Sequence, residues 1–521
     1  MLFNSPEFVF IFLPVALVGY YLLQRSPASE YRFHFLILMS LIYYSVWNPP
    51  YTLLLCASLG ANYLIGRLIQ RASAGRAWFG PSVPLAAGLL LNVGMLFYFK
   101  YANFFVDNLN AAAGTNFNLQ HVLLPLGISF YTFQKIAYLV DLARGEVRDQ
   151  GFTRFSLFVL FFPQLIAGPI VHFRETSPQF DRNSRVRFAA ANITVGLVIF
   201  AIGLFKKTVI ADTASQFATP IFQAAHQGDT ILFWSGWQAA VIYTLQLYFD
   251  FSGYSDMAIG LARMFGIKLP LNFHSPLRAQ SILDYWRRWH MTLQRFIISY
   301  MYQPLAIPLA RLAANWNLGR FGRFVVATAL PTVAIFFVVG LWHGAGWTFA
   351  AFGLMHGAYI VINEAWREIN RKRHRKTKTA APAWGSFLYW CATIAAVLFA
   401  NVMFRAQTVG DAMEIYAGMT GLNGPPLAAA AGLADLPALL SGPLMIILVG
   451  CAIVFGFPNT QQIMRRYGPA LGAEQWVGVG SGGTAILWRP TLVWAAFTGF
   501  TLYLGIMFIM RAQTEFIYFN F

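Results

Sequence analysis

Phe324 to Asn363 reads FVVATALPTVAIFFVVGLWHGAGWTFAAFGLMHGAYIVIN, a stretch without a single Asp, Glu, Lys or Arg. A helix needs about 20 apolar residues, each rising 1.5 Å, to cross roughly 30 Å of hydrocarbon, so this stretch holds two crossings. Glycine gathers at its middle, in Gly340-Leu341-Trp342-His343-Gly344-Ala345-Gly346-Trp347, and the two helices are expected to meet near His343-Gly344. Arg320 and Arg323 precede the stretch, and Arg367 to Lys378, with Arg371-Lys372-Arg373-His374-Arg375-Lys376, follows it. Because Lys and Arg collect in cytoplasmic loops, both outer ends of this hairpin face the cytoplasm and His343 lies away from that surface. The stretch therefore decides the fold class: all-α, polytopic and membrane-embedded.

The rest of the chain reads the same way. Of 521 residues 57% are hydrophobic and 11% charged, with mean hydropathy +0.54, far from the roughly 25% charged content of soluble domains. The 37 Lys+Arg against 20 Asp+Glu leave +17, which in a soluble protein would point to nucleic acid; here the excess is topological, and no nucleic-acid partner is expected. Cys56, Cys391 and Cys451 stand singly in apolar runs, so neither a disulfide framework nor a cysteine metal site is expected, and no metal is proposed.

Phe33 to Gly66 is uncharged and broken by Asn48-Pro49-Pro50, two helices joined by a tight turn. Further spans are expected over Ala77–Phe99, Gln120–Val140, Phe188–Phe205, Thr230–Phe249, Thr379–Phe404, Leu436–Met464 and Pro490–Met510, about ten to thirteen membrane-embedded helices in all. The first apolar run carries Glu7 where a signal peptide would carry basic residues, so it is expected to be a retained helix, with the N-terminus outside. Phe155 to Phe173 has arginines on both flanks and Pro163 and Pro169 inside; a re-entrant hairpin returning to its own side satisfies both. Gly410 to Leu436 reads as a loop with a short interfacial helix. The chain is taken as one domain over residues 1–521.

Ionisable side chains within spans are costly and need a partner, a wet cavity or a task. Three clusters qualify. In the first, His343 is a candidate general base among small residues and aromatic walls, against the plainer reading of a histidine bonded to a neighbouring helix; the same choice applies to His356. In the second, Tyr285-Trp286-Arg287-Arg288-Trp289-His290, two arginines between aromatics suit a phosphate-bearing donor, or simply anchor the chain at the lipid headgroups. In the third, Asp250-Phe251-Ser252-Gly253-Tyr254-Ser255-Asp256 is either a helix break capped by Ser or Asp, or the wall of a polar cavity. The chain has no HExxH, GxSxG or Gly-Asp-Ser block, so any serine nucleophile must come from another protein.

At these residues the sequence resembles the membrane-bound O-acyltransferase (MBOAT) family, in its bacterial alginate O-acetylation branch. The blocks occur in one order along the chain: Met1-Leu2-Phe3-Asn4-Ser5-Pro6-Glu7-Phe8, Leu124-Pro125-Leu126-Gly127-Ile128-Ser129-Phe130-Tyr131-Thr132-Phe133, Phe161 to Ile170, Asp250 to Asp256, Trp286-Arg287-Arg288-Trp289-His290, Trp342-His343-Gly344, Phe404-Arg405-Ala406 and Phe516-Ile517-Tyr518-Phe519. The resemblance implies helices around a central tunnel, with a core at approximately residues 120–410. It implies a catalytic role for His343, a helper role for His290, and a donor-binding or tunnel setting for Trp286, Arg287, Arg288, Trp289, Trp342, Asp250 and Asp256.

It further implies an acetyl donor, acetyl-CoA, entering from the cytoplasm and no bound cofactor. The acceptor is expected to be an exported polysaccharide on the far side of the bacterial inner membrane, reached through a periplasmic serine-nucleophile (SGNH-type) acetyltransferase or another polysaccharide-modifying partner. One stretch departs from the alginate type: Ile298-Ser299-Tyr300 and Pro304-Leu305-Ala306-Ile307 stand where Arg-Asp-Tyr and Pro-Leu-Gly-Gly are usual. Competing readings are a polysaccharide or lipid-linked sugar flippase, which broken helices and intramembrane polar groups also fit, and acylation of a lipid, a protein or teichoic acid from an acyl carrier protein.

Overall fold

The computed structural model describes residues 2–118, 122–181, 190–376, 383–424, 442–476, 486–511 and 517. Among these residues the chain is helical and without strands; extended backbone pairs at an isolated bridge between Pro270 and Leu471.

The first helices follow the sequence punctuation. Helix α1 spans Phe8–Arg25 and α2 Arg32–Ser45. Asn48 caps α3 (Pro49–Ser73), accepting from Tyr51 N at 3.4 Å, with proline at the first helical position where no N–H is needed. Helix α4 runs unbroken from Ser82 to Ala113, beyond the Phe99 limit expected from hydropathy, because the π-turn Phe97–Tyr101 absorbs Lys100 without ending the helix. Helix α5 (Ile128–Ala143) begins eight residues after the expected Gln120, which lies outside the described residues with its two neighbours. Its start is Gly127, at φ +70°, where an added Cβ would lie 3.0 Å from the Ile166 backbone. Glycine permits both the turn and that approach.

The segment after α5 is a buried hairpin that turns back toward its own start. Helix α6 (Phe152–Leu160) goes in, irregular backbone returns, and every residue from Phe155 to Phe173 is buried. The two ends meet: Arg154 pairs with Asp181 at 3.1 Å. Irregular backbone survives at this depth only if its polar groups are satisfied inside the protein. Phe162 N donates to Ser40 Oγ (3.1 Å), Ile170 N to Thr292 Oγ1 (3.0 Å), and Gln164 Nε2 to Phe158 O (2.6 Å).

Helix α7 (Ala190–His226) packs lengthwise on α8 (Phe233–Met264). Every residue of α8 from Ile242 to Ala262 is buried, so this helix is the post around which the others stand. It corrects the reading of Asp250 to Asp256 as a helix break, and the expected end at Phe249. The helix continues because the π-turn Lys206–Ala211 in α7 delivers cations to its acids. Lys207 lies 2.7 Å from both Asp250 and Asp212, and Lys206 2.6 Å from Asp256. With their charges matched, the aspartates need no backbone cap.

Short helices α9 (Ile282–Arg288), α10 (Met291–Ile297) and α11 (Gln303–Asn315) lead to the long hairpin of α12 (Arg320–His343) and α13 (Trp347–Lys376), which meets where the sequence places it. Helix α14 (Ala383–Arg405), α15 (Val409–Thr420), α16 (Pro443–Gly456) and α17 (Leu492–Ile509) follow. The Gly410 to Leu436 region contains the helix α15; its residues from 425 onward lie outside the described ones. By length and composition, seven helices among the described residues can cross a membrane: α1, α3, α4, α7, α12, α14 and α17.

Candidate active site

His343 is the last residue of α12. The hairpin holds it because Gly340 and Gly353 touch: a Cβ added at Gly340 would lie 2.9 Å from Gly353 Cα. Small residues let helix backbones close to this distance. The end of α12 is fixed a second time from α4. Tyr101 Oη donates to Leu341 O at 2.9 Å, and Lys100 Nζ donates to Trp342 O. The His343 imidazole, 3% exposed, then sits among rings, 4.7 Å from Trp342, 5.2 Å from Phe404 and 5.8 Å from Phe352 by centroid.

His290 arrives by a different route. It precedes α10 with φ +43° and ψ +51°, a left-handed conformation that costs a side-chain-bearing residue about 1–2 kcal/mol. Backbone bonds around it offset that cost: Met291 N donates to Asn272 O (2.9 Å) and His274 N to Arg288 O (3.0 Å). The Asn272 side chain then sets the proton. Thr292 N–H, which can only donate, meets Oδ1 at 3.3 Å, so Oδ1 is the acceptor, also for Thr292 Oγ1 (2.8 Å) and His290 Nδ1 (3.1 Å), while Nδ2 donates to Ser255 Oγ (3.0 Å). Nδ1 of His290 therefore carries the hydrogen, and Nε2 keeps the lone pair of a base.

Trp342 joins the two histidines. Its ring centroid is 6.3 Å from His290 and 4.7 Å from His343, and it stacks on Phe133 at 5.4 Å. Behind it opens an apolar cavity of about 350 Å³ lined by Val93, Tyr101, Phe133, Phe296, Tyr300 and Val339, among others. The arrangement is a pair of imidazoles buried among aromatic rings, suited to moving a proton between a hydroxyl and a leaving group without admitting water.

The other sequence candidates divide. Trp289 stacks on Tyr285 at 5.7 Å and packs on Phe273 at 5.0 Å, forming the wall beneath His290. Trp286 donates its indole N–H to His356 Nδ1 at 3.2 Å, so His356 is engaged in packing. Arg288 is bonded to Asp284 at 2.9 Å, whereas Arg287 is exposed. Asp250 and Asp256 are committed to the lysines of α7; Asp256 also accepts from Thr460 (2.6 Å) and Gln461 (3.0 Å). Asn272 and Lys100 escaped the sequence reading. Asn272 sits in a loop with no periodicity to mark it; Lys100 interrupts an apolar run that resumes at Phe104-Phe105-Val106, a signal that was legible. Among the described residues no group of three or more His, Cys, Asp or Glu is placed to hold a metal.

The chain matches the MBOAT, membrane-bound O-acyltransferase, family over residues 86–404, and it belongs to that family. It is a multi-pass membrane enzyme, an O-acyltransferase. Among curated proteins it is similar to the peptidoglycan O-acetyltransferase of Helicobacter pylori, 39% identical over 82% of this chain and 81% of that one. It is also similar to the probable alginate O-acetylase AlgI of Azotobacter vinelandii, 36% identical over 80% and 78%. The teichoic acid D-alanyltransferase of Streptococcus thermophilus is 28% identical over 49% of this chain and 61% of its own length.

Proposed function

We propose that this enzyme moves an acetyl group from acetyl-CoA on the cytoplasmic side of a bacterial inner membrane to the outside, for O-acetylation of a cell-envelope or exported polysaccharide. The juxtaposition of His290 and His343 on Trp342 carries the reading, because it offers a base and a second proton acceptor at one water-poor point. In the step, the acceptor hydroxyl oxygen attacks the thioester carbonyl carbon while His343 takes the hydroxyl proton. The C–O bond forms, the C–S bond breaks, and the sulfur leaves with the proton as a thiol. His290, its Nδ1–H held by Asn272, keeps Nε2 as a second proton acceptor and assists.

Arg287, exposed beside the Asp284-bound Arg288, is the contact for the donor's phosphates. The names of the similar proteins, which specify alginate and peptidoglycan, support a polysaccharide acceptor. A periplasmic partner with a serine nucleophile completes the delivery, since the chain has no such block of its own. Family membership favours this reading over a flippase. Similarity to a teichoic acid D-alanyltransferase favours, as a second reading, teichoic acid as the acceptor.

The test is His343→Ala in cells and in purified form. Envelope polysaccharide should lose its acetyl groups, and acetyl-CoA consumption should fall by about 10²–10⁴. Wild-type acetylation by a correctly inserted variant would remove His343 from the chemistry.

A further inference from the structure

Lys100 has no place in the motifs above, yet it touches the residue that joins both histidines. It lies half-buried in the π-turn Phe97–Tyr101 of α4. The widened turn brings two consecutive side chains onto two consecutive carbonyls at the end of α12: Tyr101 onto Leu341 O and Lys100 onto Trp342 O. The Lys100 ammonium also lies 5.7 Å from the centroid of the Trp342 ring. π-turns of this kind persist where the extra residue is put to use.

Its charge is unusual for the setting. Lys206 and Lys207, the neighbouring pair in α7, each face an aspartate within 2.7 Å. Among the described residues Lys100 faces no carboxylate; its partners are a main-chain oxygen and an indole. Lys135 is likewise without an acid, and rests on Ser58 and the Tyr131 ring. An ammonium kept in a membrane span without a counter-charge is costly, and it is tolerated where its field is used. Beside it the Trp342 indole N–H is buried with no acceptor, a second donor left over at the same residue.

We propose that Lys100 is a positioning residue for acyl transfer whose charge also favours the step. By holding Trp342 O it fixes the last turn of α12 and with it His343. Its ammonium offsets the negative charge that develops when the thioester opens. As the hydroxyl oxygen bonds to the carbonyl carbon, the carbonyl oxygen takes the electron pair and His343 takes the proton. When the C–S bond breaks, the electron pair passes to sulfur, which regains the proton from the imidazolium. Both the oxyanion and the departing thiolate gain from a fixed cation in a water-poor site. The inference rests on the acyl-transfer reading above, and the experiment separates the two.

The purified full-length chain, together with a purified periplasmic serine-nucleophile (SGNH-type) acetyltransferase, is assayed for thiol release with two donors, acetyl-CoA and the aryl thioester S-phenyl thioacetate, whose thiol is the more acidic, using oligomannuronate or muropeptide as acceptor. In Lys100→Met, kcat with acetyl-CoA should fall about 100-fold with KM within about 3-fold, and the loss with the aryl donor should be about 10-fold, because a better leaving group needs less help. Lys100→Arg should recover most of the rate. Tyr101→Phe removes the neighbouring cap without touching the charge, and should lower both donors equally, by about 3-fold. Equal losses for both donors in Lys100→Met, with no recovery in Lys100→Arg, would overturn the proposal. A wild-type protein that releases thiol from neither donor would overturn the acyl-transfer reading itself.

Discussion

Asn272 decides what His290 can do. Its amide is oriented by Ser255 on one side and Thr292 on the other, so its oxygen has no freedom to turn from His290 Nδ1. An imidazole so held presents one fixed tautomer, and its Nε2 is available without a rearrangement at the moment of reaction. Asn272→Leu keeps the branched outline, in a larger side chain, and removes the acceptor. It should lower kcat by about 10- to 100-fold while leaving KM nearly unchanged, as steady-state kinetics on correctly folded protein would register. Trp342 is the other residue at this scale, since one indole touches both imidazoles and walls off the apolar cavity behind. The sequence displayed His343, His290 and Trp342 in three conspicuous blocks. It gave no sign of Asn272, whose importance comes from a loop folding back onto residues 288–292.

At the scale of elements, helices meet at two kinds of contact, small residues and matched charges. The α12–α13 hairpin uses the first. An added Cβ at Gly353 would lie 3.0 Å from Gly340 Cα and closer still to the Phe336 carbonyl, which cannot move without its helix. Gly353→Val should therefore part the hairpin, costing about 1–3 kcal/mol, and displace His343 from Trp342. Thermal unfolding followed by tryptophan fluorescence should fall together with activity. The α7–α8 pair uses the second kind. Lys207 stands between Asp212 and Asp250, with Ile517 N donating to Asp250 at 3.1 Å. Lys207→Met strands two buried carboxylates and should cost about 3–5 kcal/mol; Asp250→Asn, which leaves Lys207 bonded to Asp212, should cost less. Denaturation of the two variants in one detergent would reveal the order, and a reversed order would refute this account of the cluster. The aspartates looked like a helix break because their partners lie more than 30 positions away in sequence, in a π-turn that hydropathy cannot signal.

For the molecule as a whole, the basic residues and the helix ends predict one orientation. By the positive-inside rule Arg71, Arg76 and the arginines around Arg320 are expected on the same side as the Arg367–Lys376 run, and Gln227, at the turn between α7 and α8, on the other. With Cys56, Cys391 and Cys451 replaced, Gln227→Cys should react with a membrane-impermeant maleimide in intact cells, and Ser73→Cys only after permeabilisation; the opposite pattern would invert the proposed direction of transfer. The amino-acid order by itself determined that the chain is a helical membrane protein and where its principal hairpin turns. Those are properties of length, hydropathy and charge, all carried by neighbours in the chain. Only the tertiary structure decided that the two histidines share a tryptophan, that Asp250 and Asp256 serve the frame, and that Lys100 reaches the end of α12. Such facts depend on contacts between residues as much as 267 positions apart, and no local pattern encodes a partner that arrives from elsewhere in the fold.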